Sequence, residues 1–224
     1  MPEEIKVDMS ELKRFNPTPT FSSSNTASTQ VSYTVQVVIP PPDDTIEIAY
    51  SVKRRYICFD QAMANTGWVV IETSLAGLEI LMMNTIRTQA RDELMGWADT
   101  LDRAAEVYLA IHALLSEWEV DTVVHELPPI GNGPFMRRTD SSIVAATAVR
   151  CAAINWQLPV EMVSAQTAKK FFTGDRNAKK GLVRDELKRR YGHMMKDSSF
   201  QLNEHTYDAL ALGAYLIESE HGTK

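Results

Sequence analysis

From Arg54 onward the chain alternates between short apolar runs and longer segments with helical spacing. RRYICFD (54–60) is an apolar run ending on an aspartate, GWVVIET (67–73) follows an Asn-Thr-Gly turn, and GLEILMMNTIR (77–87) is a third run; each reads as a strand. Over residues 91–118 the positions Leu94, Trp97, Leu101, Ala105, Tyr108, Ile111, Leu115 and Trp118 recur at three- and four-residue intervals, which predicts an amphipathic helix. DTVVHE (121–126) predicts a short strand closing on Glu126, and LPPIGNGPFMRRTD (127–140) a loop. SSIVAATAVRCAAINW (141–156) predicts a helix whose many small residues allow close packing, in the core or against a second copy of the chain. LPVEMV (158–163) is a fifth strand, and Ser164 can cap the helix after it. Asn177 can cap a helix over AKKGLVRDELKRRY with Gly192 as its stop, and Asn203 can cap a closing helix over EHTYDALALGAYLIESE. This order predicts an α/β domain in which an antiparallel meander leads into parallel strands, a mixed five-stranded sheet flanked by helices.

Residues 1–53 differ from the rest. NPTPTFSSSNTASTQ (16–30) has little to bury, while VSYTVQVVIP (31–40) and TIEIAYSV (45–52) flank the turn-forming PPPDD. They read as a partly disordered arm or an added hairpin, before a domain over 54–224. The 44% hydrophobic content of the 224 residues suffices for a sizeable core. No apolar run reaches the roughly 20 residues that span a bilayer, so no membrane association is expected. The charged N-terminus lacks an apolar signal core, and Cys58 and Cys151 have no CxxC spacing. These features lead us to expect a cytoplasmic protein.

Charge changes the picture by its distribution. The net charge of −6 argues against nucleic acid only if the charge is uniform. Between Ser164 and Lys196 ten Lys and Arg stand against three acids, a surplus of seven, whereas Arg91–Asp121 is acidic. A solvated amphipathic surface helix is the ordinary reading of KKGLVRDELKRR, yet its surplus exceeds what pairing along a helix uses. We therefore expect a face that contacts phosphate.

Asp60 and Glu126 each end an apolar strand, and strand ends meet at the functional edge of an α/β sheet. His205 and Asp208 stand three apart at the start of a helix and project from one face. Three acids brought together beside an imidazole repel one another unless cations are bound, and Mg²⁺ or Mn²⁺ prefers such oxygen-rich sites. Two ions roughly 4 Å apart can activate a water and stabilise the leaving oxygen in phosphodiester cleavage. Each residue also has an ordinary reading: strand-end acids are commonly turn residues, and Glu204 and Asp208 complement a helix dipole.

Taken in order, these segments resemble RuvC-type Holliday junction resolvases of the ribonuclease H-like superfamily, in a phage-like or divergent bacterial form. DQAMANTG (60–67) resembles their DPGxxxTG opening, VVHE (123–126) their second strand-end glutamate, and HTYDALALG (205–213) their closing (H/D)xxDALA helix. LPVEMVSAQTAKKFFTGDRNAKKGLV (158–183) resembles the segment leading into their DNA-binding helix, so the resemblance spans about Arg54 to Ser219. It implies a ribonuclease H-like fold, a bacterial cytoplasmic or phage-encoded homodimer, and Mg²⁺-dependent paired nicking of four-way DNA junctions. It makes Asp60, Glu126 and Asp208 metal ligands and His205 a ligand or a group that positions water. Two Mg²⁺ ions per site follow, with Mn²⁺ able to substitute. Lys169 and Lys180 match family lysines that contact DNA near the site, and Lys179 and Arg184 accompany them on the basic helix.

The sequence also departs from that pattern. Gln61-Ala62 replaces Pro-Gly after the first aspartate, and Pro129 stands where the family often has an aromatic wedge. Phe135 can substitute for that wedge, with Arg137 and Arg138 holding phosphates. These departures bear on selectivity, so a broader branched-DNA or flap nuclease is one alternative and a ribonuclease H acting on RNA–DNA hybrids another. An ATPase of the actin and sugar-kinase type needs a second domain and Gly-rich phosphate loops that this chain lacks. A non-catalytic DNA-binding scaffold is disfavoured by competent side chains at all four positions.

Overall fold

Period-two alternation sorts the strand side chains onto two faces, and both are covered. Strands β1 (Arg54–Asp60), β2 (Asn65–Ser74), β3 (Gly77–Arg87), β4 (Thr122–Glu126) and β5 (Val160–Val163) form one sheet in the order β3-β2-β1-β4-β5. The computed structural model describes residues 53–91, 96–128 and 139–220; the predicted N-terminal arm, but for Lys53, lies outside them. β1, β2 and β3 pair antiparallel, while β4 runs parallel to β1 and β5 parallel to β4. The α/β arrangement read from the sequence is thus the observed one.

Ile57, Phe59, Trp68, Val70 and Val123 point to one side, where α1 (Gly96–Trp118) and α2 (Thr139–Asn155) bury them. Tyr56, Cys58, Val69, Ile71, Val124 and Val163 point to the other, beneath α3 (Ala165–Thr173), α4 (Lys180–Tyr191) and α5 (Glu204–Glu220). Burial on both faces explains why ICF and VVI read as continuous apolar runs. No helix among the described residues is long and apolar enough to cross a membrane.

Helix α5 lies closest to the sheet. Asn203 starts it as its sequence predicts: Oδ1 accepts the N–H groups of His205 at 3.0 Å and Thr206 at 3.2 Å. Thr206 reciprocates by accepting the Asn203 N–H at 3.0 Å, and the Asn203 amide donates to Thr85 of β3 at 2.8 Å. At Gly213 a Cβ would fall 2.3 Å from Cys58 Sγ and 2.9 Å from Ile71 Cδ1, so only a bare backbone lets the helix approach this near.

Several expectations are corrected. Asn-Thr-Gly is the first three residues of β2 and not a turn before it, because the buried Thr66 hydroxyl donates to the Ala62 carbonyl at 2.8 Å and closes the turn earlier. α1 begins at Gly96, and Trp97 and Leu101 are 72% and 56% exposed, since it is the later part of the helix, through Val107, Ile111 and Leu115, that is buried; Val107 lies outside the predicted stripe. α4 begins at Lys180 with Lys179 at its N-cap position, so Asn177 stands two residues too early to cap it and belongs to a local turn in which its N–H donates to the Asp175 carboxylate at 2.8 Å. Ser164 holds the N-cap position of α3 without a side-chain capping bond.

Gly213→Val is expected to lower the unfolding free energy by about 2 kcal/mol through overpacking. Urea denaturation should show this as a lower midpoint at unchanged slope. Cys58→Ala, which opens the space, should cost less on the Gly213→Val background than on the wild type.

Candidate active site

The register places the two strand-end acids side by side. Cys58 pairs with Val124 and Phe59 with His125. One residue further brings Asp60 abreast of Glu126 at the C-terminal ends of neighbouring parallel strands. By parity both side chains lie on the α5 side of the sheet, with Cys58 and Val124.

Gly67 lies opposite Asp60 on β2, and a Cβ there would sit 2.2 Å from the backbone carbonyl of His205. The start of α5 therefore rests directly on strand backbone. The His205 ring reaches Asp60, with Nδ1 at 3.0 Å from Oδ2. One turn on, Asp208 faces the same place and accepts a hydrogen bond from Lys180 Nζ at 2.7 Å. The same ammonium donates to Glu204. Asp60, Glu126, Asp208, Lys169 and Lys180 line a pocket of about 160 Å³. Sites that engulf a small molecule are larger, roughly 300–1,000 Å³. An open pocket of this size suits one group of a large substrate, such as a backbone phosphate.

Proximity and burial set the electrostatics. Burial, then the Asp60 and Asp208 charges, push the Glu126 carboxyl up to about 7. Burial also raises Asp208, and the hydrogen bond from Lys180 offsets part of that rise. The Asp60 hydrogen bond raises the His205 pKa against the opposing effect of burial. Burial works against the Lys180 charge, but its bonds to Asp208 and Glu204 outweigh that and hold it protonated.

Three carboxylates sharing one partly buried pocket form a hard, oxygen-rich donor set under mutual repulsion, which fits a divalent cation. Among the described residues no three His, Cys, Asp or Glu side chains are drawn together tightly enough to form a finished cage. Lys180 instead supplies counter-charge on Asp208.

Of the other residues singled out from the sequence, Lys169 on α3 lines the pocket, and Lys179 precedes α4 with its side chain exposed. Arg184 points outward from α4 and pairs with Asp185 at 3.7 Å. Phe135, Arg137, Arg138 and Pro129 lie outside the described residues.

The structure adds residues that sequence reasoning did not assign to the site. Gly67 is the seat for His205, and the Thr-Gly within DQAMANTG is its signal. Gln61 is 3% exposed, and its side chain bonds the backbone of Glu126.

The raised Glu126 pKa carries a stability consequence for the protein in chelator. An unfolded glutamate ionises near pH 4.5, whereas Glu126 in the fold keeps its proton to about pH 7. The fold binds this proton more tightly than the unfolded chain, so stability is lost as pH rises from 4.5 through 7. Glu126→Gln is therefore expected to melt above the wild type at pH 8 and to lose that advantage at pH 4, as thermal unfolding in chelator would read.

No sequence-family model matches the chain, and no curated protein matches it in sequence. Solved structures do. Thermus thermophilus RuvC superposes with a TM-score of 0.58 at 18% identity over 75% of this chain and 97% of that one. T. thermophilus RuvC in complex with a Holliday junction substrate gives 0.58 at 16% identity with the same coverage. The yeast mitochondrial Holliday junction resolvase Ydc2 gives 0.51 at 9% identity over 75% of this chain and 81% of its own. At these identities the likeness is one of fold, and the chain has the ribonuclease H-like fold of RuvC-type junction resolvases.

Proposed function

We propose that this protein is a metal-dependent endonuclease that resolves four-way DNA junctions as a homodimer, by paired nicks. The observation that carries the proposal is the convergence of Asp60, Glu126 and Asp208 on one open pocket rimmed by Lys169 and Lys180. Acids alone would repel a phosphodiester, and lysines alone would bind it without cutting. The two together suit binding and hydrolysis of a phosphate backbone. The shared fold with junction resolvases, one of them solved with a Holliday junction substrate, directs the proposal to branched DNA.

Asp60, Glu126 and Asp208 are the proposed ligands of Mg²⁺, with His205 as a further ligand or a holder of Asp60. Mn²⁺ is able to substitute. Bound there, such ions lower the pKa of a water and stabilise the charge on the leaving oxygen. The remaining work falls to the chain itself. His205 fixes Asp60 through its 3.0 Å contact, and Lys180 neutralises Asp208 and Glu204 before substrate arrives. A phosphate close to Lys180 then competes with those carboxylates for its ammonium. Lys179 and Arg184, both exposed beside it, extend the contact along the backbone.

The test is cleavage of matched four-way junction, flap and RNA–DNA hybrid substrates with Mg²⁺. Symmetrical paired nicks in the junction are expected, with flap and hybrid largely intact. Equal cutting of flaps would remove junction selectivity, and hybrid cleavage alone would make the protein a ribonuclease H. Asp60→Asn should reduce cleavage by several hundredfold while junction binding persists; wild-type rates in this variant would refute the site. Lys179→Glu should weaken junction binding and flatten its salt dependence by about one ion's worth. It is a cleaner probe than reversal at Lys180, which would set a third carboxylate against Asp208 and Glu204.

A further inference from the structure

The β1–β4 ladder ends where the site begins, and a side chain continues it. Past Asp60 the backbone turns away toward Thr66, so no strand backbone remains to pair with the inner edge of Glu126. The Gln61 amide takes that place. Its Oε1 accepts the Glu126 N–H at 3.0 Å, and its Nε2 donates to the Glu126 carbonyl at 2.6 Å. The same carbonyl lies 2.8 Å from His125 Nδ1, while the next residue, Leu127, donates its N–H to Val163 of β5 at 2.9 Å. The backbone around Glu126 is therefore tied on both sides, and the tie toward β1 consists of this one side chain. Only a primary amide offers a donor and an acceptor in one plane to match a peptide edge; a carboxylate only accepts, and a thioether does neither usefully.

We propose that Gln61 is a positioning residue that fixes the Glu126 carboxylate relative to Asp60 by serving as the last rung of the β1–β4 ladder. The proposal rests on the nuclease reading for its catalytic consequence, but its geometric content is independent of it. Gln61 adjoins one acid in sequence and holds the backbone of the other in space. A change of a few tenths of an ångström in that bridge alters the spacing of the two carboxylates directly. An ordinary structural glutamine would act on stability alone. The role asserted here is felt in how well the pair binds a divalent cation and in turnover.

The experiment compares wild type with Gln61→Met, which keeps length and burial but makes neither bond, and with Gln61→Asn, which keeps the amide but falls one methylene short. Calorimetry measures Mn²⁺ affinity of each protein without DNA. Junction binding is measured in chelator, and kcat and KM with Mg²⁺. Outer residues that orient metal-binding side chains typically contribute 10- to 100-fold, so both variants should lose about tenfold or more in Mn²⁺ affinity and in kcat. KM and chelator-phase junction binding should stay within about twofold, because phosphate contacts are untouched. If Gln61→Met fails to fold, Gln61→Asn, whose amide still satisfies one of the two backbone groups, decides the matter alone. Unchanged Mn²⁺ affinity in a folded variant overturns the positioning role, even if its melting temperature falls. Should the wild type cut none of the substrates yet bind Mn²⁺, the nuclease reading fails and the Mn²⁺ comparison still decides Gln61. A wild type that binds no Mn²⁺ overturns both.

Discussion

Helix α5 rests on bare backbone at two places, and the geometry of the site follows from that contact. At Gly67 the strand presents no side chain, so the carbonyl of His205 occupies the space a Cβ would need; at Gly213 the helix presents none, and Cys58 Sγ fills the gap. A helix packed through ordinary side chains stands some 10 Å from a sheet, a distance set by those side chains. Lowering α5 at both glycines puts the His205 ring within hydrogen-bonding reach of Asp60 and brings Asp208 to the pocket that Asp60 and Glu126 line. Ala209, fully buried and four residues from each contact, keeps the seat shallow between them. His205 and Asp208 are thus brought to two strand-end acids distant in sequence by the absence of side chains elsewhere.

That proximity has an electrostatic cost. Glu126 and Asp208 both hold protons more tightly than free carboxyls because burial removes water from them and other acids stand close by. The fold offsets this locally: His205 is set against Asp60, and Lys180 against Asp208 and Glu204. Concentrated like charge of this kind is a typical place where stability is conceded to function. Neither partner is rigidly enclosed. Lys180 is half exposed at the helix start and can be drawn to a different anion without unpacking the core. A cluster neutralised by an exchangeable group differs from a buried ion pair, whose loss would strand a charge.

The five strands and the meander leading into parallel strands were legible because period two and apolar runs are local signals, and all five strands lie where those signals fall. Asn203 was legible for the same reason: a cap acts on the next turn. Asn177 was misread because the Asp175–Asn177 turn delays the helix to Lys180, and a sequence pattern does not tell a turn residue from a cap. The exposed Trp97 and Leu101 show a different limit. Periodicity identifies an apolar stripe, but the length of stripe that meets the sheet depends on where β3 delivers the chain. The site divides along the same line. Asp60 and Glu126 were visible as strand ends, whereas their adjacency depends on a parallel pairing across 65 residues of intervening chain. Gln61 was visible only as a departure from a familial Pro-Gly, and its partner on β4 becomes evident once that pairing is known.

The sheet also sorts charge, which removes the objection raised by a net charge of −6. Acidic α1 covers one face and the basic α3–α4 segment the other. The ion pairs sharpen the contrast less than the sequence suggests on α1, where Asp102 and Glu106 are taken by Arg91 and Asp99 by Arg103. On the basic face Arg189 and Arg190 are engaged with Glu186 and Glu218, and Lys180 with Asp208 and Glu204. Lys169, Lys170 and Lys179 are left outside any ion pair formed among the described residues, and Lys169 lines the pocket itself. Exposed charges act over about 8 Å at physiological salt, so a polyanion at this surface responds to the nearest lysines and not to the total. Within the pocket the balance reverses, because the acids lie deeper than the lysines that rim it. For the proposed substrate this layering is a requirement. Phosphate must be attracted at the rim and yet meet, further in, a negative cluster that only a divalent cation can reconcile with it.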